Sequence, residues 1–411
     1  MVKKLFDYKK EDSLIRDSFI LFIATMFANL AAFFYHFYMG RVLGPADYGI
    51  LGAILSIAYI VSVPSIVIQT TLTKFIADLK AKKKDKDINL LYKTALSKFF
   101  LFSILIFVLF LSLSHFLAGF LKIDTLTLIV FSPVLIFAFL LPVTRGLLQG
   151  KQEFKKLGFN LFLEAFSKLV LGILLVYMGF HIYGAIAGIV LSFTVAFFYL
   201  HLGNIKIKTE NKFEMSNIYK FGIPVLLSLL ILTLFYTIDV FLVKHYFSEL
   251  EAGYYAAISL IGKIVFFASA AISTVMFPKV AELYARKKPT IQILYKSMFF
   301  VSIIGVFIIA CYLLFPKLIV SILLGNAFIE IASYLWMFGI VMLFFSLTYL
   351  LVFYNLSVNR KSFLPYLLFV LIVEIVVIFF YHVSLKTIIF ELILLNLLSL
   401  ILMLIYTLRR K

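Results

Sequence analysis

Cysteine and charged residues are both scarce in this 411-residue chain. Its one cysteine, Cys311, has no second thiol with which to form an intrachain disulfide, so disulfides do not hold the fold together. Charged residues make up 14% of the chain and hydrophobic residues 64%, a balance that no water-soluble domain of this length could bury in one core. Because a lipid environment requires internally satisfied backbone groups, the composition predicts an all-α, polytopic membrane protein.

No Ser-, Gly- or Pro-rich linker and no long polar block divides the chain, so we expect no separate soluble domain. Twelve apolar stretches follow one another instead, most of them near or above the roughly 20 residues that a helix needs to cross a bilayer. They lie at 18–39, 50–77, 91–119, 126–144, 157–179, 183–202, 219–247, 253–277, 291–315, 329–353, 363–381 and 385–406. The first is too long for the core of a secretory signal, and we expect it to be retained.

Helix-breaking residues are few, with 9 prolines and 19 glycines in the whole chain. Pro64, Pro133 and Pro224 fall inside apolar stretches, where each predicts a kink or a hinge. Gly184 and Gly188 are four positions apart on the sixth stretch, a spacing that predicts close packing against another helix.

Acidic residues are also scarce: 20 Asp and Glu stand against 38 Lys and Arg, giving a net charge of +18. Most of the cations lie in the N-terminal tail, in alternate gaps between the stretches and in the C-terminal tail. The opposite side carries only Arg41, Lys122, Lys317 and Lys386. This asymmetry predicts that both ends are cytoplasmic, and it explains the positive charge by membrane orientation and anionic lipid rather than by nucleic-acid binding.

The sequence contains an internal duplication. A shift of 204 positions places Gly49 on Gly253, and it also places the run Ala77–Lys84 on Ala281–Lys288 with matching acidic and basic positions. The duplication predicts two six-helix bundles, residues 1–210 and 211–411, as parallel repeats related by an axis along the membrane normal. We expect a central cavity where the two bundles meet.

Short segments spread over most of the chain carry a family resemblance. They are GRVLGPADYG at 40–49, RGLLQG at 145–150, FGIP at 221–224 with ID at 238–239, AGYY at 252–255, FP at 277–278, and LLG at 323–325 with Phe328. Together they resemble polysaccharide-type flippases of the multidrug/oligosaccharidyl-lipid/polysaccharide (MOP) exporter superfamily.

The resemblance implies a flippase of the cell membrane that acts in polysaccharide biosynthesis. Such a protein moves an oligosaccharide, attached through a diphosphate to a polyprenyl carrier, from the cytoplasmic to the outer leaflet by alternating access. It implies the lipid-linked oligosaccharide, membrane lipids and polysaccharide-assembly proteins as partners, and no cofactor. A polar headgroup cannot cross hydrocarbon unaided, because its hydration would be lost at several kcal/mol for each unsatisfied group, on the order of the cost of burying a peptide group.

Five cations are the candidate substrate-binding groups: Lys98, Lys168, Lys244 and Lys263, which lie inside apolar stretches, and Arg41, which lies just after the first. Lys98, Lys168 and Lys263 are too deep for easy snorkelling, and we expect them to face the cavity. Arg41 and Lys244 occupy near-equivalent places at the outer ends of the two halves. There each either binds a diphosphate or anchors its helix at the membrane interface. Glu164, one turn before Lys168, either forms a structural ion pair with it or supports substrate contact.

Two carboxylates, Asp239 in the seventh stretch and Glu374 in the eleventh, lie well inside apolar sequence. Together they could bind Na⁺ or carry H⁺ to couple transport. The alternative is that each pairs with a neighbouring Lys, such as Lys244 or Lys263.

Catalytic and metal-binding patterns are missing from the sequence. No two of the six histidines have metal-ligand spacing, and no nucleophile motif or Gly-rich phosphate loop occurs, so we expect neither an enzyme nor a metal site. Two other functions stay open: a cation-coupled exporter of small molecules, of the multidrug type in the same superfamily, and a membrane polysaccharide polymerase. The short outer loops, about 5–12 residues each, argue against the polymerase because they leave little material for external catalysis.

Overall fold

The computed structural model describes residues 2–201, 213–358, 360 and 362–409, with the side chains of 2–22, 217, 221, 224, 278 and 285 not described. This part of the chain is almost entirely helical and contains no strand, which confirms the all-α membrane fold. The helices are α1 (Val2–Ala81), α2 (Asp85–Leu121), α3 (Thr125–Phe131), α4 (Val134–Gly150), α5 (Phe154–Leu175), α6 (His181–His201), α7 (Ser216–Leu234), α8 (Ile238–Tyr246), α9 (Glu249–Ala285), α10 (Ile291–Leu314), α11 (Pro316–Leu323), α12 (Leu335–Ser357), α13 (Leu364–Phe380) and α14 (Leu385–Arg409). A π-turn (Val176–Phe180) joins α5 to α6, and a 3₁₀ segment (Asn326–Tyr334) precedes α12.

Two breaks inside long helical segments fall at glycines. Gly44 interrupts α1 with φ 72°, and Gly179 lies within the π-turn with φ 90°, both at a positive φ that glycine adopts without steric cost. Of the three prolines predicted to kink a helix, Pro133 lies at the break between α3 and α4. Pro64 and Pro224 lie within continuous helix, and a kink or hinge at these two positions stays a prediction.

Each of the twelve predicted apolar stretches falls on helical segments. In the described part of the chain, eight helices are long and apolar enough to cross a membrane, or nine if the bent pair α7 and α8 is one crossing. Two of the eight, Ile23–Ala81 and Phe154–His201, contain the breaks at Gly44 and Gly179, and each covers two predicted stretches. The structure is consistent with twelve crossings, and that number stays a prediction.

Packing divides the chain into two compact units. Unit 1 contains Met1–Met39 and Ile57–Leu229, and unit 2 contains Gly40–Ser56 and Leu230–Lys411. The short segment Gly40–Ser56 therefore packs with the second part of the chain, although the duplication assigns it to the first. This division reflects which segments lie close together in space. It does not test the predicted halves, 1–210 and 211–411, and these stay a prediction.

Unit 1 is held together by apolar side chains and by close helix contacts. Its buried cluster includes Leu72, Leu91 and Val143, from α1, α2 and α4. A Cβ added to Gly188 on α6 would lie 2.5 Å from Gly172 Cα on α5, so these helices approach at the backbone, as the Gly184 and Gly188 spacing predicts.

The outer surfaces of several helices are strongly apolar. On α2, Leu101 and Phe116 are more than half exposed, and Phe307 and Leu314 on α10 are equally open. The helix α12, by contrast, is buried along most of its length. Exposed apolar faces of this extent are expected where a helix contacts acyl chains.

Within unit 2, two pairs of positions that the duplication makes equivalent lie against each other. A Cβ on Gly49 would be 2.7 Å from the Gly253 nitrogen, and a Cβ on Gly52 would be 2.5 Å from the Ala256 Cβ. Two equivalent positions can meet directly only close to the axis that relates them. The contact thus supports a two-fold relationship between the α1 segment after Gly44 and α9.

We predict that Gly253→Ala destabilises the protein by about 2 kcal/mol, because its new methyl group would overlap the Pro45 carbonyl oxygen. The matched control is Gly119→Ala on α2, where an added Cβ has open space and should be neutral or slightly stabilising. Thermal unfolding in detergent micelles measures both changes. Equal midpoints for the two variants would contradict the close approach.

Candidate functional site

Lys168, on α5 of unit 1, lies over an aromatic ring. Its Nζ is 5.1 Å from the ring centre of Tyr35, a distance at which a cation is attracted to the face of the ring. Tyr35 is fully buried, and its hydroxyl donates a hydrogen bond of 2.9 Å to the Ala185 carbonyl oxygen. The ring is therefore fixed between α1 and α6, and it positions the ammonium group of Lys168.

Glu164 pairs with a residue that was absent from the sequence-based candidates. Its Oε2 accepts a hydrogen bond of 2.5 Å from Arg145 Nη2 on α4, so its ion pair is between helices and not with Lys168. Arg145 Nε also donates to Asn160 Oδ1 at 2.7 Å, and Asn160 Nδ2 donates to the Ala196 carbonyl oxygen at 2.8 Å. The prediction of a Glu164–Lys168 ion pair is therefore wrong. The i,i+4 spacing allows that pair, but Arg145 offers Glu164 a closer cation across the helix interface.

Lys98, on α2, is exposed, and its Nζ lies 5.6 Å from the ring centre of Tyr219. Lys263, on α9 of unit 2, is buried, with its Nζ 5.5 Å from the ring centre of Tyr236. The three deep lysines, Lys98, Lys168 and Lys263, thus share one arrangement in which a tyrosine face holds the ammonium group. Whether they face a common cavity stays a prediction.

The two candidate coupling carboxylates are both buried in unit 2. Asp239 Oδ2 accepts a hydrogen bond of 2.7 Å from the Tyr255 hydroxyl on α9. Asp239 Oδ1 and both carboxylate oxygens of Glu374 have no hydrogen-bond partner among the described residues. Glu374 is completely inaccessible, and its helix α13 packs against α8, the helix that carries Asp239. The charge of Asp239 acts on both Glu374 and Lys263.

Pairing of these carboxylates with Lys244 or Lys263 stays the alternative to ion coupling, and the charge of Asp239 acts on Lys263. A buried carboxylate oxygen without a partner is costly unless it is protonated or binds a cation. The arrangement can therefore take up H⁺ or a small cation such as Na⁺.

Local sequence fixes the start of α9, the helix that carries Tyr255 and Lys263. Ser248 Oγ accepts a hydrogen bond from the Glu251 nitrogen at 3.3 Å, and Glu251 Oε2 accepts one from the Ser248 nitrogen at 3.2 Å. This reciprocal capping box satisfies two of the free N–H groups at the helix start. It sets the position of Tyr255 one turn further along the helix.

Arg41 and Lys244, predicted to occupy near-equivalent places, lie in different surroundings. Arg41 is exposed, and its Nη2 donates to the carbonyl oxygens of Ser321 at 3.2 Å and Ile322 at 2.9 Å, near the end of α11. Lys244 on α8 is buried. The carbonyl contacts fit the interfacial and helix-capping role of Arg41, because a cation at a helix carboxyl end complements the helix dipole.

The comparisons with solved structures define the class of protein. The structure of an inward-facing multidrug resistance MATE family transporter of the MOP superfamily matches with a TM-score of 0.78, at 15% identity over 97% of this chain and 98% of that chain. The lipid II flippase MurJ, in an inward closed conformation, matches with a TM-score of 0.76, at 13% identity over 94% of this chain and 87% of that chain. A MOP superfamily transporter from Pyrococcus furiosus matches with a TM-score of 0.65, at 15% identity over 97% and 95%. The chain therefore has the fold of MOP-superfamily membrane transporters.

The family follows from sequence comparison. A family model described as polysaccharide biosynthesis protein matches residues 38–333, and the chain belongs to this family. An uncharacterized membrane protein of Methanocaldococcus jannaschii is 26% identical over 328 residues, which cover 74% of this chain and 76% of that protein. The chain is therefore a multi-pass membrane protein of a polysaccharide biosynthesis family, and it has the fold of MOP-superfamily transporters.

We predict that Arg145→Ala destabilises the protein by about 2 kcal/mol, because the Glu164 carboxylate would lose its partner in a mostly buried position. The control is Lys156→Ala, which removes an exposed ion pair with Glu153 at the start of the same α5 and should cost less than about 1 kcal/mol. Thermal midpoints in detergent distinguish the two. A smaller loss for Arg145→Ala than for Lys156→Ala would contradict a structural contribution of the buried pair.

Proposed function

We propose that this protein is a flippase for a lipid-linked oligosaccharide. The substrate is an oligosaccharide joined through a diphosphate to a polyprenyl carrier, and it moves from the cytoplasmic to the outer leaflet of the plasma membrane. Alternating access exposes a polar route to one side of the membrane and then to the other, while the polyprenyl tail stays in the bilayer. Both termini lie in the cytoplasm, as the distribution of Lys and Arg indicates.

The observation that carries this proposal is the presence of lysines within membrane-spanning sequence. Lys244 and Lys263 are buried, and Lys168 is half-buried over Tyr35. Intramembrane cations are costly and mark substrate pathways, and these cations suit an anionic diphosphate. Membership in the polysaccharide biosynthesis family supports a glycan-bearing substrate over other lipid anions.

The protein holds the substrate by charge and performs no covalent chemistry. Lys98, Lys168 and Lys263 are each proposed to attract the diphosphate during its passage. Lys244 and Arg41 serve the outer end. A tyrosine face attracts the ammonium group of each of Lys98, Lys168 and Lys263, and this attraction helps to orient the lysine side chain.

Asp239 and Glu374 couple the cycle to a gradient of Na⁺ or H⁺. Their partnerless oxygens in unit 2 support this role, since cation binding would satisfy them. Tyr255 fixes one oxygen of Asp239 and directs the other away from that hydrogen bond. The membrane potential adds a second driving force, because an anionic headgroup leaving a negative interior gains about 2.3 kcal/mol per charge per 100 mV.

Cation-coupled export of small molecules is the second candidate function, and the buried carboxylates favour it. Transport of a fluorescent organic cation by proteoliposomes, without any flipping of a labelled prenyl-diphosphate oligosaccharide, would support it over the flippase.

We predict that Lys168→Ala and Lys263→Ala each lower the flipping rate by at least about tenfold, since each removes a charge that compensates the diphosphate. The assay uses proteoliposomes with a fluorescent prenyl-diphosphate oligosaccharide and a membrane-impermeant quencher. Lys156→Ala, on the exposed start of α5, is the control and should flip at the wild-type rate. Wild-type rates for both buried-lysine variants would refute the substrate route.

We predict that Na⁺, or a lower pH, raises the thermal midpoint of the wild-type protein through binding at Asp239 and Glu374. The double variant Asp239→Asn, Glu374→Gln should lose that response, because its amides need no cation to neutralise them. Potassium chloride at equal ionic strength controls for screening, and separate Na⁺ and pH series identify the ion. An unchanged response in the double variant would eliminate these residues as the coupling site.

A further inference from the structure

In unit 1, the side chain of Asn160 supports the ion pair between Arg145 and Glu164. An ion pair that only joins two helices does not need this additional hydrogen bond. Asn160 holds the guanidinium by its Nε, and Asn160 is itself fixed by its bond to the Ala196 carbonyl oxygen. Arg145 is thus oriented independently of Glu164. A guanidinium with a fixed plane is pre-organised for bidentate contact with an oxyanion.

The pair retains unused hydrogen-bonding capacity. Among the described residues, no group accepts a hydrogen bond from Arg145 Nη1, and none donates one to Glu164 Oε1. The two side chains are 11% and 23% exposed, so they are open on one side and not sealed in a core. Arg145 can therefore bind a further anion through Nη1, or through both Nη atoms if Glu164 leaves.

Glu164 lies within the electrostatic reach of two cations. It bonds Arg145 directly, and its charge also acts on Lys168, one helical turn further along α5. One carboxylate between two cations leaves a net positive charge. A diphosphate, with more than one negative charge, would compensate the cations better than the single carboxylate does.

We propose that Arg145 is a second phosphate-binding group of unit 1, and that Glu164 occupies it until the diphosphate of the substrate displaces that carboxylate. This inference rests on the proposed flippase function. Arg145 lies at the predicted cytoplasmic end of α4, so the exchange takes place where the substrate enters, and Lys168 receives the diphosphate deeper in the membrane. The returning carboxylate of Glu164 then helps to release the substrate from Arg145. Asn160 is a positioning residue for the guanidinium.

The experiment measures binding of radiolabelled geranylgeranyl diphosphate to the full-length protein in nanodiscs, with geranylgeraniol as the uncharged control. Removing the competing carboxylate in Glu164→Gln should tighten binding about fivefold. Arg145→Gln should weaken binding by about tenfold, and Arg145→Lys should fall between it and the wild type because Lys lacks the planar fork. Glu153→Gln makes the same charge change at the exposed start of α5 and should leave the affinity unchanged.

The double variant Arg145→Gln, Glu164→Gln separates exchange at Arg145 from a general charge effect. We expect Glu164→Gln to give no tightening in the Arg145→Gln background, since the contested guanidinium is gone. In the flipping assay, Glu164→Gln should combine tighter binding with a slower rate, because release is no longer assisted. A purely structural Glu164 would lower the thermal midpoint without tightening binding.

The possible failures are distinguishable. If the wild-type protein binds geranylgeranyl diphosphate no better than geranylgeraniol, the proposed substrate class is wrong and the exchange is wrong with it. If the wild type binds the diphosphate but Glu164→Gln leaves affinity unchanged, or tightens it equally without Arg145, only the exchange at Arg145 is overturned.

Discussion

The lack of hydrogen-bonding partners in hydrocarbon is the constraint on which this structure depends. It accounts for the helical backbone, since helices satisfy their own N–H and C=O groups. It also limits how a charged side chain can be kept inside the membrane. The chain uses three solutions: an aromatic face for Lys168, an ion pair with an amide support for Arg145, and a tyrosine hydroxyl for one oxygen of Asp239.

Some buried carboxylate oxygens in unit 2 have no hydrogen-bond partner among the described residues. Glu374 is buried with neither carboxylate oxygen bonded by a described residue, while the nearby Asp239 has one oxygen bonded and one not. Their incomplete satisfaction in unit 2 contrasts with the well-bonded Arg145 cluster in unit 1. The two units thus offer different chemistry, with a pre-organised cation in one and under-compensated carboxylates in the other.

Hydropathy and charge distribution predicted the membrane fold because they act over tens of residues. Each apolar stretch falls on helix, and the glycine spacing on α6 predicted its close approach to α5. The exact breaks were harder. Gly44 and Pro133 lie at breaks but Pro64 and Pro224 do not, because neighbouring helices and local adjustment can accommodate a proline in a continuous membrane helix.

Candidate charges could be found in the sequence, but their partners could not. Asp239, Glu374 and the deep lysines stand out as charges in apolar runs. Arg145 follows directly after such a run, so its position in the sequence is typical of a cation in a cytoplasmic loop. Apart from its place in the RGLLQG segment, nothing in the sequence indicates its mostly buried contact with Glu164 on α5. The i,i+4 rule finds partners along one helix, whereas Glu164 uses a neighbouring helix. Spacing along a chain does not define distances between helices.

The contact between Gly49 and Gly253 has a consequence for the history of the chain. If the duplicated gene descends from a half-length protein that paired with a second copy of itself, one codon specified both sides of this contact. A single change from glycine to alanine would then have added two methyl groups to the same narrow gap. After fusion the two codons could vary separately, yet Gly49 still faces the backbone of Gly253 and Gly253 faces the backbone of Pro45, so neither position has room for a side chain.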